Sequence, residues 1–336
     1  MRRLGFLALI TMLIISGCGA QGVATSTTKK TITIAHNLND QHPVHKGLER
    51  FSEEVEKRTN GSLSVKIYAN GVLGSERDAL EQLKRGGIDM TKVSAGQLES
   101  FSPSYRVFSL PYLFENQEHF YRAMQLPEIQ QLYQSTEDQG YIALTFYDAG
   151  ARSFYSNRPI QTPDDLKGMK IRIQESLAAA ELIKQLGASP TPMAFGETYT
   201  GLQQGVIDGA ENNETALTSS KHGEVSKIFA VTEHTRIPDM LLISTKTWNE
   251  LSDDQKEAVS QAAKISTEYQ KELWQEAIQL SIQEAEKSMD VRFINVDKEP
   301  FRQKLEPMVE RYRQSDPLAR DVIDAVENLK GEENSE

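Results

Sequence analysis

The stretch from Leu251 to Asp290 constrains the fold more than any other, because it contains no glycine or proline that would break a helix. Ser252 followed by Gln255 has the pattern of a capping box, which predicts that the helix begins there. At 1.5 Å per residue, an uninterrupted helix up to Asp290 is about 55 Å long, which exceeds the diameter of a small domain. Its apolar positions do not keep a heptad, which argues against a dimeric coiled coil. We therefore expect one helix that lies across two lobes.

The size and charge of the chain limit the classes of protein to which it can belong. A chain of 336 residues is long enough for two domains of about 150 residues each. Its 37 basic and 48 acidic residues give a formal net charge of -11, which argues against nucleic acid as a partner. A cleft with local positive charge is compatible with this balance, so a small anionic ligand is not excluded.

The amino-terminal segment has the order of an export signal. Arg2 and Arg3 precede an uncharged run, 4–17, that is too short for a bilayer core of about 30 Å but typical of a signal peptide. Small residues lead into Cys18, the only cysteine of the chain, and this end resembles the lipobox of bacterial lipoproteins. We predict a lipoprotein signal peptide over 1–18 with Cys18 as the lipidation site; the alternative is a chance cysteine in a general secretory signal.

The next segment, 19–30, is composed mainly of Gly, Ala, Gln, Ser and Thr and cannot bury a core. Such a composition predicts a flexible tether, so the folded body is expected to begin near Thr31. We therefore expect a body held by lipid on the outer face of the cytoplasmic membrane, at the cell surface or in the periplasm. From Thr31 onward, patterns of strands alternate with patterns of helices, which predicts an α/β protein.

Enzyme signatures are mostly missing from this sequence. It has no G-x-S-x-G, no H-E-x-x-H and no Walker A motif, so we predict no catalytic residues and no cofactor. His42 and His45 stand three apart, which would suit a metal, but no third ligand is near. A helix entry with Pro43 at its first position is the better interpretation, and we predict no metal.

A charged residue interrupts a predicted strand at 168–176. Met169, Ile171 and Ile173 share one face of that strand, so Arg172 points to the other side. Arg152 follows an earlier predicted strand, and Asn212 stands at a later strand exit together with Asn213. Most arginines are exposed, and each of these residues has an ordinary surface interpretation. Together they favour an acidic, hydroxylated ligand, since arginine suits a carboxylate and asparagine suits hydroxyls.

The run "YDAGARSFYSNRPIQTPDDLKGMKIRIQES…DGAENN" resembles the solute-binding proteins of tripartite ATP-independent periplasmic (TRAP) transporters, the DctP family. The segments "GVLGSERDALEQLKRGGIDM", "FSLPYLF" and "HGEVSKIFAVTEH" and the long helix follow in the order of that family. The resemblance implies a two-lobed periplasmic-binding-protein-like fold with a long helix across both lobes. It also implies a receptor that delivers a small organic acid to membrane permease subunits.

The same resemblance assigns ligand-binding roles, residue by residue. Arg172 is expected to form the salt bridge to the ligand carboxylate and so to face the cleft. Lys92 departs from the family pattern, and it is either a second cation for the ligand or an edge-strand charge. The full predicted ligand-binding set is Arg172, Arg152, Asn212, Phe195, Asn37, Glu76 and Ser94.

The lobes are predicted to exchange chain near Gly150, near Ile237 and in the long helix. Lobe I then comprises 31–149 and 238–277, and lobe II comprises 150–237 and 278–330. "DAGARSFY" with "DGAENN" resembles the sugar-acid branch of the family and favours a hexuronate over a C4-dicarboxylate, which stays the alternative. Two other classes stay open: an exported sugar-acid lyase or hydrolase with Glu76 or Glu211 as base, and a lipoprotein that docks other proteins.

Overall fold

The structure is a computed structural model that describes residues 29–333. The predicted signal peptide, Cys18 and the tether up to residue 28 lie outside the described residues. Within the described range, no helix is both long and apolar enough to cross a membrane.

Strands and helices alternate along the chain and form a two-lobed α/β fold around two sheets. The strands are β1 (Lys30–Ala35), β2 (Leu63–Tyr68), β3 (Met90–Ser94), β4 (Tyr141–Tyr147), β5 (Arg152–Ser156), β6 (Lys170–Ile173), β7 (Ser189–Pro192), β8 (Gly209–Asn212), β9 (Ile228–Thr235), β10 (Asp239–Ser244) and β11 (Arg292–Asn295).

The helices cover both faces of the sheets, and short 3-10 turns supplement them at 103–109, 137–139, 163–166 and 195–197. The α-helices are α1 (Pro43–Arg58), α2 (Glu76–Lys84), α3 (Ala95–Leu98), α4 (Gln117–Ala123), α5 (Pro127–Gln134), α6 (Leu177–Leu186), α7 (Thr198–Gln203), α8 (Thr215–Ser219), α9 (His222–Val225), α10 (Thr245–Glu250), α11 (Asp253–Met289), α12 (Glu299–Ser315) and α13 (Pro317–Glu333).

The first sheet has the strand order β2-β1-β3-β10-β4. Its first three strands are parallel, because helical crossovers connect them, while β10 runs antiparallel to both of its neighbours. The second sheet has the order β11-β9-β5-β8-β6-β7 and mixes parallel and antiparallel pairs. Strand β3, which carries Lys92, therefore lies in the middle of its sheet, and the edge-strand interpretation of this lysine is wrong.

The chain passes from the first sheet to the second at 148–151 and returns at 236–238. Helix α11 is a single helix of 37 residues with the predicted capping box at Ser252 and Gln255. It packs on α1 and β4 beside the first sheet and on α8 and α9 beside the second. At the carboxyl end, α12 packs on α6 while α13 packs on α4 and α5, so this helix pair also contacts both lobes. The residue boundaries of the lobes stay a prediction.

Candidate functional site

A cavity of about 390 Å³ lies between the two sheets and is lined from both sides. Strand ends and the first turns of helices open onto it, which is where α/β folds place polar groups around a ligand. Every ligand-binding residue that was predicted from the sequence lines this cavity. These are Asn37, Glu76 and Ser94 from the side of the first sheet, and Arg152, Arg172, Phe195 and Asn212 from the side of the second.

Arg172 lies in the cavity wall with one donor unpaired. It sits on β6, between β8 and β7, and its side chain is only 1% exposed. Its Nε and Nη2 both donate to the carbonyl oxygen of Met193, at 3.0 and 2.8 Å. Its Nη1 is buried and has no hydrogen-bond partner within the described chain. Burial lowers the pKa of Arg172, and the charges of Glu211 and Glu76 do not offset the loss of water.

The ring of Phe195 completes the surroundings of this guanidinium. Its centroid lies 5.7 Å from Cζ of Arg172, within the range of a cation–π contact. Phe195 also lines the cavity, so one face of any molecule placed against Arg172 meets an aromatic surface. Arg172 and Phe195 together form a positively charged end of the cavity with an apolar wall.

Arg152 differs from Arg172 because its charge is already neutralised. Its Nε donates to Glu211 Oε2 at 2.5 Å and its Nη2 donates to Glu211 Oε1 at 2.9 Å, a bidentate pair. Burial alone would raise the pKa of Glu211, but Arg152 and His234 outweigh it and bring that pKa to about 2. Glu211 is therefore held ionised, which makes it a poor proton acceptor near neutral pH.

Asn212 connects Arg152 to the cavity. Its Oδ1 accepts from Arg152 Nη1 at 2.9 Å, which fixes the orientation of the amide. The Nδ2 of Asn212 makes no hydrogen bond to the residues at 29–333, and the side chain lines the cavity. The structure thus presents an amide donor in the cavity wall that also contains Arg172, and Arg152 fixes the orientation of that amide.

Lys92 forms a buried network with two acids. Its Nζ donates to Glu76 Oε1 at 2.8 Å, to Asp239 Oδ2 at 3.2 Å and to Asn37 Oδ1 at 3.2 Å. Burial alone would lower the pKa of Lys92, but the attraction of Asp239 and Glu76 outweighs it, so that pKa is raised. Lys92 therefore stays positively charged near neutral pH.

Sequence reasoning missed Asp239, which also lines the cavity. Leu241 lies directly opposite Lys92 in the antiparallel pair, and Asp239 stands two residues away on the same face. The only signal in the sequence was the lysine itself, because a buried ammonium group requires a carboxylate nearby. No spacing rule locates a partner that is so far along the chain.

Polar contacts between the two sides hold the cavity closed. Ser94 Oγ donates to Gln174 Oε1 at 3.1 Å, and Asn39 Nδ2 donates to the carbonyl oxygen of Ser219 at 3.0 Å. His42 Nε2 lies 3.4 Å from the hydroxyl of Thr215. These pairs join residues beside the first sheet to residues beside the second, so opening of the cleft must break them.

His42 and His45 do not form a metal site. Pro43 is the first residue of α1, and the Nδ1 of His42 accepts from the backbone N–H of Val44, as predicted for a helix entry. His45 instead bonds to His36 at 2.9 Å. Burial, with the charge of Lys92 adding to it, lowers the pKa of His42 to about 3 and that of His36 to about 2. Among residues 29–333, no group of three His, Cys, Asp or Glu side chains is arranged to hold a metal.

Comparisons with known proteins agree on one family. The model of DctP, described as bacterial extracellular solute-binding protein, family 7, matches residues 34–315. A Salmonella typhimurium protein named uncharacterized protein YiiZ is 43% identical over 92% of this chain and 93% of its own length.

Solved structures of similar proteins contain sugar acids. A TRAP periplasmic solute-binding protein from Anaerococcus prevotii, with bound α/β-D-glucuronate, is 34% identical with a TM-score of 0.88, over 90% of this chain and 99% of that one. Another, from Sulfitobacter sp. NAS-14.1 with bound β-D-galacturonate, is 37% identical with a TM-score of 0.85, over 89% of this chain and 100% of that one.

Proposed function

This chain belongs to family 7 of the bacterial extracellular solute-binding proteins, the receptors of TRAP transporters, and from that membership we propose that it captures a hexuronate. Members of this family are extracytoplasmic binding proteins. The observation that carries the ligand class is the unpaired, buried Nη1 of Arg172 in the cavity wall. The similar structures with bound glucuronate and galacturonate support the same class of ligand.

The ligand carboxylate pairs with Arg172 in this proposal. A buried guanidinium without an anion is costly, and a carboxylate that accepts from Nη1 removes that cost. The amide of Asn212 donates to a ligand oxygen beside it, and the ring of Phe195 packs on a face of the sugar. Asn37, Glu76 and Ser94 contact hydroxyls from the opposite side. A cavity of about 390 Å³ lies within the usual size range of small-ligand sites.

Capture works through closure of the two lobes. The ligand contacts residues of both lobes only when they are close together, so it stabilises the closed arrangement over the open one. The cross-lobe bonds of Ser94 with Gln174 and of Asn39 with Ser219 form in the same movement. Neither step needs covalent chemistry, and the protein acts as a receptor and not as an enzyme.

Delivery and anchoring complete the proposal. The closed, loaded receptor docks on membrane permease subunits of a TRAP transporter, which take up the sugar acid. Lipid attached at Cys18 holds the receptor near those subunits, and the tether gives it reach.

A thermal-shift panel tests the ligand class. D-glucuronate, D-galacturonate, glucose, galactose and succinate are each added to the purified protein. Uronates are expected to raise the unfolding midpoint, since a ligand at a hundred times its Kd adds about 2.7 kcal/mol of stability. Glucose and galactose are expected to have no effect, because they lack the carboxylate.

The other candidate functions give different results in the same experiment. A shift with succinate and none with either uronate would establish the C4-dicarboxylate alternative. Uronate recovered after incubation must be chemically unchanged, and any product would establish a lyase or hydrolase. No response to any acid would leave only a protein-docking role.

A further inference from the structure

We propose that Lys92, Glu76 and Asp239 form a negatively charged subsite, which binds hydroxyl groups of the ligand and rejects a second carboxylate on it. The inference rests on the proposed capture of a sugar acid and states which sugar acids are selected. These are the monocarboxylates, the uronates, in preference to sugar dicarboxylates of the same size. The three residues are called the acidic triad below.

The charge of the acidic triad is the first step. Lys92 carries one positive charge and is 2% exposed, and it is bonded to two carboxylates, Glu76 at 2.8 Å and Asp239 at 3.2 Å. Burial raises the pKa of Asp239, with Glu76 adding to it and Lys92 opposing it. With both carboxylates ionised, one cation beside two anions leaves one net negative charge in the cavity wall. Because the site is largely shielded from water, that charge acts more strongly on a bound ligand than a surface charge does.

The hydrogen-bonding capacity of the triad is the second step. All three donors of the Lys92 ammonium are used, by Glu76, Asp239 and Asn37. Glu76 Oε2 and Asp239 Oδ1, in contrast, have no hydrogen bond to the described residues, and both side chains line the cavity. Ionised carboxylate oxygens only accept, so they match the O–H groups of a sugar and not another carboxylate.

The side of the cavity formed by the second sheet has the complementary charge. Arg152 is neutralised by Glu211, so Arg172 supplies the positive charge that a ligand carboxylate can meet. At the rim, Arg77 lies 3.8 Å from Glu175, and both side chains are more than a third exposed and well screened. The cavity is therefore polarised, with an anion-binding side at Arg172 on the second sheet and an acceptor side at the triad beside the first sheet.

Lys92 as a second cation for the ligand is the competing interpretation. A second carboxylate that reached Lys92 would have to displace Glu76, Asp239 or Asn37 from its hydrogen bond. A displaced acid would remain buried in the same cavity without a cation, and a carboxylate in the place of Asn37 would be the third anion around one ammonium group; both are strongly unfavourable. A dicarboxylate thus meets repulsion on the side where a uronate hydroxyl is accepted.

The test compares D-galacturonate with galactarate, which has the same six-carbon chain with a carboxylate at each end and no sugar ring. Because the two acids also differ in shape, the effect of charge is measured by the change of their affinity ratio in the variants. Isothermal titration calorimetry at neutral pH measures both dissociation constants for the wild type. The wild type is expected to prefer galacturonate by at least about tenfold, which equals about 1.4 kcal/mol. Asp239→Asn removes one negative charge and keeps the shape of the side chain, so it is expected to bring the ratio of the two constants toward one. Glu76→Gln removes one negative charge from helix α2 and replaces Asp239→Asn in the test if that variant fails to fold.

Asp40→Asn is the matched control, because Asp40 is exposed and lies outside the cavity lining. It is expected to keep the wild-type preference. Galactarate binding as tightly as galacturonate to the wild type would overturn the inference. An unchanged ratio in both Asp239→Asn and Glu76→Gln would also overturn it. A wild type that binds neither acid would refute the proposed function itself, which is a different result from tight binding without discrimination.

Discussion

Replacement of Arg172 by Met separates ligand binding from folding. In the ligand-free protein, two effects oppose each other. The carbonyl oxygen of Met193 loses its two donors, which is destabilising. A buried guanidinium with a pKa lowered by burial also disappears, which is stabilising. We therefore expect the unfolding midpoint without ligand to stay close to the wild type.

In Arg172→Met, no second effect compensates for the loss of ligand affinity. Truncation of one member of a buried charged pair costs about 3 kcal/mol, or roughly 100-fold in Kd. At a uronate concentration of a hundred times the wild-type Kd, the stabilisation then falls from about 2.7 to about 0.4 kcal/mol. Calorimetry measures the loss of affinity, and thermal melts with and without D-galacturonate measure the loss of stabilisation.

Arg158→Met is the control for this experiment, because Arg158 is exposed and lies outside the cavity lining. It is expected to bind uronate like the wild type. If Arg172→Met kept the wild-type affinity, the carboxylate would be bound elsewhere and the reasoning from the unpaired Nη1 would be wrong. If both variants lost affinity equally, the effect would reflect overall charge and not this contact.

Three further predictions concern the buried charges. Lys92→Met leaves Glu76 and Asp239 without their cation, so its free energy of unfolding in urea is expected to fall by about 3 to 5 kcal/mol. Lys264→Met is the control, because Lys264 is exposed. A loss below about 1 kcal/mol in Lys92→Met would contradict the buried pairing. The pKa of Glu211 is lowered to about 2, chiefly by Arg152 against the effect of burial, so its contribution to stability is complete above its ordinary pKa of 4.5 and disappears as the pH falls through 2. Glu211→Gln is expected to flatten the stability of the protein between pH 2 and 5, and a variant as pH-dependent as the wild type would refute this. Burial, with Glu233 adding to it, raises the pKa of Glu214 to about 7, so this group costs stability as the pH rises from 4.5 through 7. Glu214→Gln is therefore expected to stabilise the protein at pH 8 and to have no such effect at pH 4, as measured by chemical denaturation at both values.

Local patterns in the sequence predicted much of the fold. The capping box at Ser252 and the absence of glycine and proline predicted one helix up to Asp290, and α11 runs over Asp253–Met289. Strand β6, Lys170–Ile173, lies within the strand predicted at 168–176. These elements depend on neighbouring residues, which is why periodicity and capping residues are sufficient to find them.

Contacts between distant residues were not predicted from the sequence. Arg152 was predicted as a ligand-binding residue, and the sequence did not indicate that its guanidinium is bonded to Glu211, 59 positions further along. Lys92 and Asp239 are 147 positions apart and meet only because β10 inserts beside β3. Such pairs are set by sheet topology, and no local spacing encodes which strands become neighbours. The residues that the family resemblance assigned to the ligand all line the cavity, but the resemblance did not indicate which of their charges are already paired.

The position of β10 also sets an order of assembly. In the first sheet, β10 lies between β3 and β4, although it follows both in the chain with residues 148–238 intervening. A nascent chain therefore holds β3 and β4 with unpaired backbone groups until residue 244 has been made, while five neighbouring strands of the second sheet, β9-β5-β8-β6-β7, are already complete. Non-local pairing of this kind slows folding and exposes strand edges to aggregation. During synthesis, the first sheet thus waits for a strand that is made after most of the second sheet, and the second sheet is completed later still by β11.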